Sequence, residues 1–120
     1  MVKQSFFLFL LVFLIACGSK DKEIKIPETI IQPDQMVLVL VDFHLAEAAI
    51  IDVQSKKENV DQYTNYFYNS ILQKHNISRK KFSESISFYN KNLKEFQKIY
   101  KDVVVELSKT QSRIISKKLK

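Results

Sequence analysis

The sequence predicts an all-α protein: a small bundle of about four helices behind an N-terminal signal peptide and tether. Three observations carry this. The 120-residue chain has one glycine, Gly18, and its two prolines are Pro27 and Pro33. From Asp34 to Lys120 there is neither, so the positive-φ turns on which hairpins and barrels depend lack their usual residue. Apolar residues then recur at three- and four-residue spacing through most of that stretch, the period of helices with one buried face. A chain of this length holds one domain with a modest core.

The first element is not part of that bundle. Lys3 gives a positive start, Phe6 to Ala16 is uninterrupted apolar sequence, and polar and charged residues follow from Cys17. Eleven helical residues reach roughly 16 Å, about half a bilayer core. The run is too short to span, and its flanks are those of a secretory signal, residues 1–16. The alternative is a buried first helix with Cys17 in the core.

Leu14-Ile15-Ala16-Cys17 resembles the bacterial lipobox, the motif at which a peptidase cuts before a cysteine that carries diacylglycerol. The residue types suit that chemistry: a thiol forms the thioether, and small Ala16 and Gly18 let the backbone enter a protease. The resemblance implies lipid attachment at Cys17, with Leu14, Ile15 and Ala16 as the cleavage motif. Several acyl chains would make the anchorage durable. Gly18 stands where an aspartate would signal retention at the inner membrane, which favours an outer-membrane, periplasm-facing location. Display on the cell surface is the lesser reading, because Lys22 interrupts the acidic run that an export signal would need.

Residues 17–32 read as the lipidated cysteine and a flexible tether, and residues 33–120 as a single helical domain. Pro33 suits the first helical position and Asp34 the positive end of the helix dipole. The run "MVLVLVDFHLAEAAIID" is too long for a strand. It predicts a helix from Pro33 to Val53, apolar nearly all round and therefore central and buried. Asn59 with Gln62 reads as a variant capping box for a second helix, whose apolar face holds Val60, Tyr63, Phe67 and Ile71. Asn76 takes the left-handed cap position that glycine usually fills. Ser78 caps a short third helix carrying Phe82, Ile86 and Tyr89. After "YNKN", Leu93, Phe96, Tyr100, Val103 and Leu107 line the last helix at a spacing suited to coiled-coil-like packing, continuing through Ile114.

"MVLVLVDFHLAEA", "ILQKHNISRKKFSESISFYNKN" and "IYKDVVVEL" together resemble a family of small Bacteroidota lipoproteins of unknown function, domain-of-unknown-function family 4296. The likeness runs from about Pro27 to Leu107. Asn76 stands where the family usually has glycine, which a helix cap tolerates. The resemblance implies the fold and the envelope location. It implies no catalytic residue, because no activity is established for the family.

The residues offer little chemistry of their own. His44 and Glu47 lie one turn apart, and Asp42 and His75 complete the set of candidate metal ligands. Zinc and di-iron sites need three or four converging ligands, so a surface ion pair or a satisfied interior histidine is the better reading and no metal or cofactor is expected. The lone cysteine is acylated on the lipobox reading. Ser83, Ser85 and Ser87 lie within a helix with no glycine turn beside them, so nothing supplies an oxyanion hole. No enzyme is expected, and no small-molecule substrate is evident. The dense aromatics are core by default, with Tyr66 off the main face, where it would suit a protein or glycan partner.

Charge supplies the remaining candidates for anion or partner contact. The net charge is +6, and no acid follows Glu106, whereas Lys109, Arg113 and Lys117 form an i, i+4, i+8 stripe. Arg79, Lys80 and Lys81 crowd the first turn of a helix, where cations are disfavoured and anions are welcome. Nucleic acid is not expected at a lipid-anchored envelope protein. Anionic lipid, lipopolysaccharide or an acidic partner suits these patches, as does a plain solvated surface. The function expected is a non-enzymatic helical adaptor that binds another envelope protein. The alternative is a chaperone-like holder of unfolded or lipidated clients.

Overall fold

A computed structural model describes residues 22–120, and the stretch read as a signal peptide, residues 1–16, and Cys17 lie outside the described residues. The described chain is all-α: α1 (Pro33–Ser55), α2 (Val60–Lys74), α3 (Arg79–Lys91) and α4 (Leu93–Lys118). α1 is the hub, packing on α2 and on α4, while α3 packs on α4.

Local chemistry sets the helix ends. Asn59 caps α2 by accepting from the Gln62 backbone N–H at 3.2 Å, and Ser78 caps α3 by accepting from that of Lys81 at 3.1 Å, each satisfying one orphan donor. α2 closes as expected at Asn76, which is left-handed at φ 55°. The Ile77 N–H reaches back to the Leu72 carbonyl at 2.9 Å and the Asn76 N–H to that of Gln73 at 3.0 Å. This is a Schellman cap, and its customary apolar contact is supplied by buried Leu72 and Ile77. The same pattern ends α1: Glu58 N–H to Val53 O at 3.3 Å and Lys57 N–H to Gln54 O at 3.1 Å, with Lys57 left-handed at φ 57°. That second cap carries α1 two residues past the expected Val53.

The tether drawn to Gln32 is too long at its far end. Ile30 and Ile31 are core residues, Ile31 completely covered. A turn closed by the Ile30 N–H on the Pro27 carbonyl at 3.0 Å delivers them there, and the Gln32 side chain donates to the carbonyls of both Pro27 and Ile30. Beneath them, α3 supplies matched partners. The Ile31 N–H donates to Ser85 Oγ at 2.9 Å, and Tyr89 Oη donates to the Ile31 carbonyl at 2.7 Å. The Ser85 hydroxyl in turn donates to the Lys81 carbonyl at 2.7 Å. A segment with no helix of its own is thus held by two buried side chains that satisfy its backbone.

Burial of α1 is concentrated in its first half and is not all round, since Leu38 is 54% exposed. Met36, Val37, Val39, Leu40 and Val41 are enclosed together with Ile71, Leu72, Ile77, Tyr89, Ile99 and Val103. Past Ala46 no residue of α1 is fully buried, and Ile51 is 66% exposed. The expected face of α4 is likewise turned. Ile99 and Val103 are its buried residues, Phe96 and Leu107 are partly buried, and Leu93, Tyr100 and Ile114 are exposed. The seam against α1 is shifted part of a turn, keeping Phe96, Val103 and Leu107 of the expected face and adding Ile99 in place of Leu93 and Tyr100.

Two aromatic runs tie the helices together. Phe43, Tyr68 and Phe82 join α1, α2 and α3 with ring centroids 5.1 to 6.0 Å apart. Tyr89, Phe96, Tyr100 and His44 lead from α3 along α4 to α1, at 4.9 to 6.0 Å. Most of the dense aromatic set is core, as expected, and Tyr66 stands out at 65% exposed.

Candidate functional site

A shallow recess lies between α1 and α2, smaller than those of about 330 Å³ at the start of α4 and about 510 Å³ along it, but shared by two helices. Asp42, Leu45, Ala46 and Ala49 line it from α1, and Phe67, Ser70, Ile71 and Lys74 from α2, enclosing about 290 Å³. On each helix these four residues follow the i, i+3, i+4, i+7 spacing of one face. The two faces meet antiparallel, since Asp42 reaches Lys74. The cleft exists because Ala46, Ala49 and Ser70 are too small to fill the space between the helices. Its floor is apolar, and its one charged end is self-compensated.

That end is a three-residue clamp. Asp42 Oδ2 accepts from Lys74 Nζ at 2.8 Å and from His75 Nε2 at 2.6 Å. An ionised carboxylate only accepts, so the His75 proton in this contact sits on Nε2. The His75 carbonyl in turn accepts from Gln35 Nε2 at 3.1 Å. Partial burial pushes the Asp42 carboxyl up, but the hydrogen bonds and charge of Lys74 and His75 outweigh it and hold it below the ordinary 3.8. The clamp fixes the last turn of α2 to the middle of α1 and sets the width of the cleft.

A second recess, of about 280 Å³, is lined by Gln62, Tyr63 and Tyr66 further up α2. The Tyr66 ring meets Phe67 edge-on at 5.7 Å, so the two recesses share a wall. An exposed tyrosine pair beside an apolar cleft is the composition that protein-binding surfaces favour. The Tyr63 hydroxyl is bound to Glu58, and that carboxylate's hydrogen bond and charge raise the tyrosine pKa.

The residues singled out from sequence fall in several places. Leu14, Ile15, Ala16 and Cys17 lie outside the described residues. Arg79 stacks its guanidinium 4.7 Å over the Tyr68 ring and donates to Asn69 Oδ1. Lys80 pairs loosely with Glu84 at 3.9 Å, and Lys81 reaches the Glu28 carbonyl at 3.5 Å. The basic first turn of α3 is therefore engaged with the protein itself. Lys109 pairs with Glu106 at 2.7 Å, whereas Arg113 and Lys117 point into solvent from the last turns of α4.

His44 and Glu47 form the expected surface pair, at 3.1 Å. Among the described residues no three His, Cys, Asp or Glu side chains converge as a metal site would require, and no helix is long and apolar enough to cross a membrane. Sequence reasoning missed the cleft itself. Its signal was available in the matched spacing of Asp42-Leu45-Ala46-Ala49 and Phe67-Ser70-Ile71-Lys74.

The model of the domain-of-unknown-function family DUF4296 matches residues 27–113. The chain belongs to this family. The DUF4296 region begins at Pro27, where the turn that carries Ile30 and Ile31 into the core begins, so the folded unit and the family unit share their start. It contains the whole cleft and the clamp, and most of α4. Neither the curated proteins nor the solved structures compared with the chain gave a match.

Proposed function

We propose that this DUF4296 protein is a lipid-anchored adaptor of the Bacteroidota type in the cell envelope, without catalytic activity. It sits at the outer membrane facing the periplasm and binds another envelope protein through the α1–α2 cleft. The observation that carries the reading is the cleft with its tyrosine rim. Its floor is apolar and its shape is fixed by the Asp42–Lys74–His75 clamp. Polar groups placed to orient a small molecule are absent from its lining apart from that self-paired end and Ser70, which suits an apolar side-chain ridge more than a metabolite. The anchor follows from the lipobox-like Leu14-Ile15-Ala16-Cys17.

Two arms test this. Cells fed a palmitate analogue should label the wild-type chain and leave Cys17→Ser unlabelled and released from membranes; label retained by Cys17→Ser removes the anchor. Pull-down of the membrane-extracted protein should return one dominant partner, lost in Ala49→Trp, which fills the cleft. Many weak partners, with suppressed aggregation of a model substrate, would instead support the chaperone-like holder.

A further inference from the structure

One side of α4 carries large apolar residues that the fold leaves largely uncovered, although Tyr100 among them also meets the rings of Phe96 and His44. Leu93, Tyr100, Val104, Ile115 and Leu119 are all exposed, from 38% at Tyr100 to 82% at Leu119. Their separations of seven, four, eleven and four residues each fall close to whole helical turns, so they form one line along a helix of 26 residues. The buried line through Ile99 and Val103 runs beside it and faces α1. Past Leu107 no residue of the helix is buried.

On these last turns the basic residues have a definite place. At 100° per residue, Lys109, Arg113, Lys117 and Lys120 fall on the side of the helix opposite Val104, Ile115 and Leu119, whereas Lys118 falls on the apolar line, in the direction of Tyr100. Among the described residues the sole carboxylate in ion-pair contact with this set is Glu106, on Lys109, and no acid follows it in the chain. Ser108, Ser112 and Ser116 turn their hydroxyls back onto carbonyls of the helix at 2.8 to 3.0 Å, so the strip between the two sides asks for no polar partner.

We propose that α4 lies along an anionic bilayer surface, with the Leu93–Leu119 line in the headgroup boundary. Long basic side chains would reach round to the phosphates. An apolar line with cations on the opposite side is the arrangement of an interfacial helix, whose lysines and arginines snorkel to the headgroups. A second copy of this chain packed on the apolar line would press Lys118, which falls on that line, against an equally apolar surface. An acidic partner helix packed on the apolar line would leave the basic side facing away from it.

The start of the described chain supports the same surface. Lys22 and Ile24 line a recess with Asn92, Leu93 and Lys94 at the first turn of α4. The chain therefore comes into the bundle beside one end of the apolar line. Cys17 lies five residues before Lys22, within roughly 17 Å along even a straight chain. The proposal draws on the anchored reading for nearness to the membrane; the chemistry of α4 stands without it.

The full chain carrying Cys17→Ser, with one new cysteine bearing an environment-sensitive fluorophore, separates these dependences. The label is placed in turn at Ile115→Cys and at Glu84→Cys on exposed α3, and the protein is bound to vesicles of phosphatidylcholine with or without phosphatidylglycerol. The Ile115 label should shift to the blue and be quenched several-fold by spin-labelled lipid on the anionic vesicles, and the Glu84 label should stay as in water. Lys109→Glu, Arg113→Glu and Lys117→Glu together should abolish the Ile115 shift while circular dichroism shows the helices retained. An Ile115 label as wet as the Glu84 label on anionic vesicles, or a shift that survives the charge reversals, overturns the proposal. Because Cys17 is already serine, either result leaves the palmitate test of the anchor untouched.

Discussion

Ser85 and Tyr89 show how much one helix face can do for a segment that has no secondary structure. Both are fully covered, and between them they satisfy the N–H and the carbonyl of Ile31. Burial first, and then the charge of Glu95, push the Tyr89 pKa up to about 12, so the hydroxyl remains a donor at any working pH. Tyr89→Phe should lower unfolding free energy by about 1–2 kcal/mol, and Ser85→Ala by about 1–3 kcal/mol because it strands a buried N–H. Urea denaturation followed by circular dichroism measures both. Ser85 was not legible as a core residue: in "SESISFY" it looks like its exposed neighbours Ser83 and Ser87, and only its distant partner Ile31 distinguishes it. Asp42 gives the pH counterpart. Its folded pKa lies below the unfolded value, so its contribution is fully present above about pH 4 and is lost as pH falls through the lower folded value. Asp42→Asn should therefore flatten the acid limb of a stability-versus-pH curve; an unchanged limb would assign acid sensitivity to other carboxylates.

Helix ends were readable from sequence because their causes are local. Asn59, Ser78 and Asn76 each act within about one turn of their own backbone, so residue type and spacing suffice. The matching cap at Lys57 was hidden, since lysine seldom takes a left-handed conformation. Helix faces were less readable. α4 carries two neighbouring apolar lines, and periodicity alone does not say which one α1 covers. The structure chooses Ile99 and Val103 over Leu93 and Tyr100. That choice has a direct consequence. Ile99→Ala should cost about 2–4 kcal/mol, in the range for buried large-to-small changes, and Leu93→Ala should fall within about 0.5 kcal/mol of wild type, as exposed sites do. Equal costs at the two positions would put the seam of α4 elsewhere.

Across the whole molecule, the helices arrange one surface that no single segment of sequence displays. The α1–α2 cleft needs the small residues of two helices to face each other, a pairing set by the Asp42 clamp and the Schellman turn between the helices. The fold class followed from the missing glycines and prolines, which act everywhere along the chain. The cleft did not, because it depends on which faces meet. On the function proposed above, this cleft docks a protein partner in the envelope. Site-specific photo-crosslinking in cells tests it most directly, with the reactive residue placed at Ala49 in the cleft, at Tyr66 on its rim, or at Glu84 on α3. Ala49 and Tyr66 should yield the same discrete adduct and Glu84 should not. No adduct from the cleft, or an equal adduct from all three positions, would contradict the claim.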